Sequence, residues 1–259
     1  MVNYTEAVLP RTSGCAVNFL NLMELSLVIP VFDEQDNVQP LLDEVRRALD
    51  GRFDYEVIFV DDGSRDATRE RLLALRAACP QLRVLHHAKN AGQSAALLSG
   101  LLAARAPWIV TLDGDGQNDP ADIPALYAAA REDETLWLVG GWRRQRRDSG
   151  LKRLSSRVAN AVRATLLGDA TPDTGCGLKL LRREAVLQLP RFDHMHRFLP
   201  ALVLRAGGGV RSLPVNHRPR ERGVSKYGVF NRLWVGIVDL FGVMWLRRRA
   251  LRPDVTEER

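Results

Sequence analysis

Apolar residues along this chain fall into two alternating patterns. Leu25-Ser26-Leu27-Val28-Ile29, ended by Pro30, and Glu56-Val57-Ile58-Phe59-Val60 are short runs rich in branched residues, as in strands buried on both faces. Between them Val38, Leu41, Leu42, Val45 and Leu49 recur at three- and four-residue steps, the period of a helix with one buried stripe. The alternation continues with a helix from about Ala67 to Ala78, a strand Leu82–His86, a helical stretch of small residues from Ser94 to Arg105, and strands Trp108–Leu112 and Leu136–Gly140. Strands alternating with helices predict an α/β chain with a doubly wound, mostly parallel sheet. After Gly140 the alternation becomes irregular and the sequence turns basic.

Three polar clusters directly follow apolar strands: Pro30 to Glu34, Asp61 to Ser64, and Asp113 to Gln117. In a doubly wound sheet ligands lie at the carboxyl ends of the strands, so these loops should converge on one edge. Asp113 and Asp115, one glycine apart and followed by Gln117, can share a hard cation such as Mg2+ or Mn2+, although Asp and Gly also build ordinary solvated turns. Ser64 or Asp66 can cap the helix that follows them. The adjacent carboxylates of Asp61 and Asp62 repel each other and need a partner, which a ribose, a base edge or a cation could be. Phe32 beside Asp33 and Glu34 suits a nucleobase and its sugar, or a loop leading into a helix.

Composition narrows the partners. With 37 Lys and Arg against 31 Asp and Glu, the 259-residue chain carries a net charge of +6, which favours anionic partners. Cys15, Cys79 and Cys176 lie far apart without CxxC spacing, so neither a disulfide framework nor a zinc site is indicated. Residues 1–24 lack a secretory layout and are expected to form a disordered extension. Between Arg143 and Arg157 seven basic residues face one acid, Asp148. A helix from about Leu151 to Leu167 would carry Lys152, Ser156, Asn160 and Arg163 on one stripe, a face for phosphate or for solvent. Val229 to Leu246 is strongly apolar but short for a span, contains Arg232 and Asp239, and runs into Arg247-Arg248-Arg249. It reads as a helix lying in the headgroup region of an anionic membrane, or as a core helix. Cys176 is expected to pack as a small residue, Asp173 to stand near the reacting group, and a metal cluster of Asp193, His194 and His196 is disfavoured by irregular spacing.

Val28 to Glu34, Val60 to Asp66, Asn90 to Gln93 and Asp113 to Pro120 resemble the motifs of family-2 glycosyltransferases with the Rossmann-like GT-A fold. Gly141 to Arg144, Arg153 to Asn160, Asp173 to Gly177, Met195 to Pro200 and Gly223 to Tyr227 are similar to its polyprenyl-phosphate branch, the dolichol-phosphate mannose synthase type. The resemblance covers about Leu25 to Arg249 and implies a GT-A domain over 25–224 with a membrane-interfacial helix and tail over 225–259. It implies that Pro30, Phe32, Glu34, Asp61, Asp62, Asn90, Gly92 and Asp113 hold the nucleotide sugar. Asp115 and Gln117 would be metal ligands, and Asp113, Asp115 and Asp173 catalytic. Arg143, Lys152, Arg153, Ser156, His196, Arg220, Arg222 and Lys226 would grip the acceptor phosphate.

The implied activity is metal-dependent, inverting transfer of a hexosyl group from a nucleotide-diphosphate sugar to a polyprenyl phosphate, by a peripheral protein on the cytoplasmic face of the membrane. A transferase for a soluble or polysaccharide acceptor lacks a use for the basic helix and apolar terminus. A nucleic-acid-binding module would need aromatics interleaved with the Arg143 to Arg157 charges, where Trp142 alone is near, and it leaves three acidic strand ends unexplained.

Overall fold

The computed structural model describes residues 23–143, 163–220, 230–250 and 256. Its frame is β1 (Leu25–Val31), α1 (Val38–Leu49), β2 (Tyr55–Asp61), α2 (Thr68–Ala78), β3 (Leu82–His86), α3 (Gln93–Ala103), β4 (Trp108–Thr111), α4 (Ile123–Glu132) and β5 (Leu136–Arg143). After this come β6 (Lys179–Arg182), α5 (Arg183–Gln188), α6 (Leu199–Ala206), β7 (Gly209–Val215) and α7 (Phe230–Arg247). The seven strands form one sheet in the order β3-β2-β1-β4-β6-β5-β7. All pairings are parallel except those of β6, which runs antiparallel between β4 and β5.

The expected doubly wound α/β sheet is therefore present, with additions in the irregular region. β6 and β7, with α5 and α6, escape the sequence pattern: β6 is four residues long and opens on a lysine, while β7 carries Arg211, Ser212 and Pro214. β1 also outruns its expected end at Pro30. Its ladder with β4 stops at Val28↔Thr111, whereas pairing with β2 continues to Val31↔Asp61, so a residue without an N–H is tolerated where only one neighbour remains.

Alternation along the central strands feeds two cores. Leu25, Leu27, Ile29 and Val31 join α1, Leu72 and α4 on one face. Val28, Ile58 and Val60 meet α3, α6 and Val243 of α7 on the other. At the amino end of the sheet the buried Glu56 carboxylate accepts from Ser26 Oγ at 2.7 Å, Arg83 at 2.6 Å and the Arg105 N–H at 2.8 Å. Burial alone would raise its pKa, but these bonds hold it below the usual carboxylate range.

The C-terminal apolar segment is a helix, one side of which packs on the core. Val243 is buried, with Leu240 and Met244 packed on the core. Ile237, Val238, Phe241 and Trp245 project from the opposite side, Phe241 being 62% exposed. Among the described residues no helix is long and apolar enough to cross a membrane.

α3 lies close against the sheet because Gly100 faces Val28 and Val60; a Cβ there would collide with Val28 Cγ1 and lie 3.0 Å from Val60 Cγ2. Gly100→Ala should lower the unfolding free energy by about 1–3 kcal/mol through overpacking, measured by urea titration. Unchanged stability would mean that α3 shifts freely.

Candidate active site

The three acidic strand ends do converge. They line a cavity of about 500 Å³ at the carboxyl ends of β1, β2 and β4, together with Asn90, Gly92, Gln93 and Ser94 and with the turn carrying His196 and Arg197. Pro30, Phe32, Glu34, Asp62, Asn90, Gly92, Asp113 and Asp115 all border it.

The paired carboxylates at the end of β2 each have partners of their own. Asp61, which was expected to contact nucleotide, is fully buried. Its oxygens accept from the Ser64 N–H at 3.0 Å and lie 2.8 Å from His86 Nδ1, because the strand end turns its side chain toward β3. Asp62 is the member that reaches the cavity. Its carboxylate accepts from the backbone N–H groups of Ala91 and Gly92 at 2.9 and 2.8 Å and lies 2.7 Å from His87 Nδ1. Gly63 lets the two loops touch: at φ +71° it takes a left-handed conformation, and a Cβ would sit 2.6 Å from Asn90 N. The capping role falls to Asp66, which accepts from the Thr68 N–H at 3.0 Å, while Ser64 Oγ accepts from the Asp33 N–H at 2.9 Å.

After β4, Asp113 Oδ1 accepts from Gln93 Nε2 at 3.1 Å. Burial and then the Asp115 charge push its pKa up to about 6, against the pull of Lys179, Arg143 and Arg220. Gly177 clears the space for this carboxylate, since any Cβ there would collide with it. Asp115 Oδ1 accepts from the Gln117 N–H at 3.2 Å, and Gln117 Nε2 donates to the Arg218 carbonyl at 3.3 Å, leaving the amide oxygen as an acceptor. Among the described residues no three His, Cys, Asp or Glu side chains group as a metal cage. Asp113 and Asp115, both on the cavity lining, are nonetheless hard donors of the kind that share a cation with a diphosphate, whereas Gln117 is not among the lining residues; a cation between the two carboxylates would offset the Asp115 charge that, after burial, raises Asp113.

The expected acceptor residues divide. Arg220 reaches the cavity, 2.5 Å from Glu34 Oε1 and 3.9 Å from Asp115. Arg143 does not line it; its Nε and Nη2 donate to both oxygens of Asp173 at 2.6 and 2.8 Å. Asp173, expected beside the reacting group, is thereby a buried anchor for Arg143 and is also outside the lining. Arg163, expected on an open cationic face, pairs with the buried Asp169 and donates to the Thr171 carbonyl. Lys152, Arg153, Ser156, Arg222 and Lys226 lie outside the described residues. Cys176 is buried as expected, and burial pushes its thiol pKa up.

Lys179, which no pattern singled out, lies buried at the head of β6, donates to the Cys176 carbonyl and faces the carboxylates of Asp113 and Asp173. Its place after the Gly175-Cys176-Gly177 turn was the available signal. Gln93, Ser94 and Arg197 also border the cavity without having been assigned there, although each adjoins an assigned residue.

This cleft places the chain among α/β enzymes that work at the ends of their parallel strands. Sequence gives the particular group: the chain belongs to glycosyl transferase family 2, whose family profile matches residues 26–189. It is 39% identical over 237 residues to the dodecaprenyl-phosphate galacturonate synthase of Rhizobium johnstonii, covering 89% of this chain and 69% of that protein. It is 34% identical over 215 residues to the undecaprenyl-phosphate 4-deoxy-4-formamido-L-arabinose transferase of Edwardsiella ictaluri, covering 82% of this chain and 65% of that one. The chain thus spans about two thirds of the length of these relatives. The fold is shared with glucosyl-3-phosphoglycerate synthase from Mycobacterium tuberculosis in complex with Mn2+, UDP-glucose and phosphoglyceric acid: TM-score 0.63 at 21% identity, over 87% of this chain and 79% of that one. A mannosyltransferase from Pyrobaculum calidifontis in complex with GDP-Man and Mn2+ gives a TM-score of 0.60 at 19% identity, over 77% and 58%.

His196 lies 2.6 Å from Ser94 Oγ through Nδ1, and burial, then Lys179, Arg197 and His194, push its pKa from 6.5 down to about 3. It is neutral at neutral pH and would meet a phosphate as a hydrogen-bonding group. An unfolded chain takes up this proton near pH 6.5 and the folded one only near 3, so the residue's contribution is intact above pH 6.5 and is lost progressively below it. His196→Gln should therefore flatten the fall in urea midpoint between pH 7 and 5; an equally steep fall would contradict the assignment.

Proposed function

We propose that the chain transfers a sugar from a nucleotide-diphosphate sugar to a polyprenyl phosphate, with inversion, as a peripheral protein on the cytoplasmic face of a membrane. The observation that carries this reading is the convergence of Asp62, Glu34, Asp113 and Asp115 on one cavity in a family-2 chain. Relatives named as polyprenyl-phosphate sugar synthase and transferase supply the acceptor class.

Asp62 and the loop Asn90 to Gly92, locked together by two amide hydrogen bonds, form the nucleoside side of the cavity, which Phe32 and Glu34 also line. Asp113 and Asp115 would hold Mg2+ or Mn2+. Such a cation, when bound, neutralises charge developing on the leaving diphosphate. Arg220, drawn in by Glu34 and Asp115, and Arg197 set positive charge on the cavity side where an anionic acceptor enters. A phosphate acceptor is already anionic near neutral pH, so these side chains need to orient and neutralise rather than remove a proton. No nucleic-acid partner enters this reading, since the chemistry at the strand ends suits nucleotide and phosphate.

The exposed stripe Ile237, Val238, Phe241 and Trp245 is the membrane-facing candidate. Arg249 stacks over Trp245 at 5.3 Å and, with the exposed Arg248, puts positive charge at the end of that stripe, an arrangement suited to anionic headgroups, while Arg247 packs against Gly168.

Undecaprenyl phosphate incubated with Mn2+ and a panel of nucleotide sugars, read by mass spectrometry of the lipid, should yield one glycosyl-phosphoryl lipid. Asp115→Ala should reduce its formation at least 100-fold with an unchanged melting curve. Transfer to free sugars in preference to the lipid would overturn the acceptor. Phe241→Asp with Trp245→Asp should abolish co-flotation with vesicles containing phosphatidylglycerol; wild-type flotation by that variant would exclude α7 as the attachment.

A further inference from the structure

One wall of the cavity is built by a turn far from the acidic loops. Asp193, His194, His196 and Arg197 all border the cavity. Three anchors hold the turn. Met195 and Phe198 are buried in the core on that face of the sheet. His196 meets Ser94, the second residue of α3. His194 is the third, and it is conformationally unusual: with φ +62° it is left-handed, one of two non-glycine residues with positive φ among the described residues. Such a backbone is strained for a residue with a Cβ and persists where surrounding contacts hold it.

The contacts come from two carboxylates on opposite sides of the ring. Asp193 follows it locally, accepting from the His194 N–H at 2.8 Å and lying 3.5 Å from Nε2. Asp239 lies 3.0 Å from Nδ1 and belongs to α7. Its Oδ2 is buried and makes no hydrogen bond; His194 Nδ1, 3.0 Å away, is its one ion-pair partner among the described residues. In the sequence Asp239 is the acid that interrupts the apolar run. On the helix it stands on the packed side with Val243 and Leu240, away from the exposed Phe241 and Trp245. Hydrophobic contact seats α7, and Arg205 holds its end by donating to the Leu246 carbonyl at 2.8 Å. Asp239 is therefore not needed to dock the helix.

We propose that Asp239 is a positioning residue for the donor cavity: through His194 it fixes the turn 193–197 in the shape that lines the site, so that seating of α7 and nucleotide binding are coupled. This rests on the reading of the cavity as a nucleotide-sugar site. The helix that offers its apolar stripe outward thus completes, on its inner side, a wall of the catalytic cleft.

The test is binding of UDP, with GDP in parallel, in Mn2+ and without lipid, by calorimetry on the full chain. Asp239→Ala should weaken nucleotide binding at least fivefold and raise the donor KM by a similar factor, with kcat changed by less than twofold. Asp239→Glu, which keeps the carboxylate, should retain most of the affinity. His194→Gly removes the imidazole but suits the left-handed backbone, so it should lose the same affinity without a lower melting temperature. The double variant should bind no worse than the weaker single one, since both cut one link. Wild-type affinity in Asp239→Ala and His194→Gly, or losses that multiply in the double variant, would overturn the proposal. Because no acceptor is present, failure of polyprenyl phosphate in the transfer assay bears on the proposed function alone.

Discussion

Like-charge repulsion is the constraint around which this molecule is arranged. A parallel sheet that ends three strands in carboxylates cannot leave them facing one another in a partly dry cleft. Each is met by its own counterpart: Asp61 by His86, Asp62 by His87 and two backbone amides, Glu34 by Arg220, and Asp173 by Arg143. Asp113, hydrogen-bonded among the described residues only to the Gln93 amide and with Lys179 as buried counter-charge, is deeply buried and also faces the Asp115 charge, and its proton affinity rises accordingly. The site is thus neutralised residue by residue except at the one place where a cation and a diphosphate would be received.

The strand that supplies Lys179 explains a departure from simple winding. β6 enters antiparallel between β4 and β5, so its first residue, not its last, lies at the carboxyl edge of the parallel strands. That reversal brings the Asp173 to Gly177 turn under Asp113, where glycine at 177 is required. Arg143 at the end of β5 then reaches Asp173 across the turn. A parallel strand in this position would have delivered its other end, and with it no lysine beneath Asp113.

Local pattern made the first half of the chain readable. Branched runs and the Val38 to Leu49 stripe depend only on burial and period, and the loops at their ends inherit their position from the sheet. What pattern could not convey was pairing. Nothing in Asp61-Asp62 says that the first acid turns inward to His86 while the second reaches the cavity, because that depends on the register of β2 against β3. Arg143 and Arg163 looked like members of one basic patch; Asp173 and Asp169, distant or inconspicuous in sequence, take up their charge in the fold. β6 and β7 were hidden because a short strand with a lysine at its head, and one containing Arg211 and Pro214, do not carry the apolar signature of a buried parallel strand. The C-terminal helix was visible as amphipathic, but its two sides were separable only once Val243 was seen buried and Phe241 exposed.

The contact made possible by Gly63 bears on how this scaffold can diversify. With the β2 loop pressed against Asn90, and Asp62 bonded into the same segment, neither loop can change size or side chain without displacing the other. The nucleoside side is thereby inherited as a block. Room for new sugar preferences lies in lining residues outside that block. A scaffold divided in this way can keep one leaving group while its transferred sugar drifts, so relatives that handle different sugars need not have rebuilt the half that holds the nucleotide.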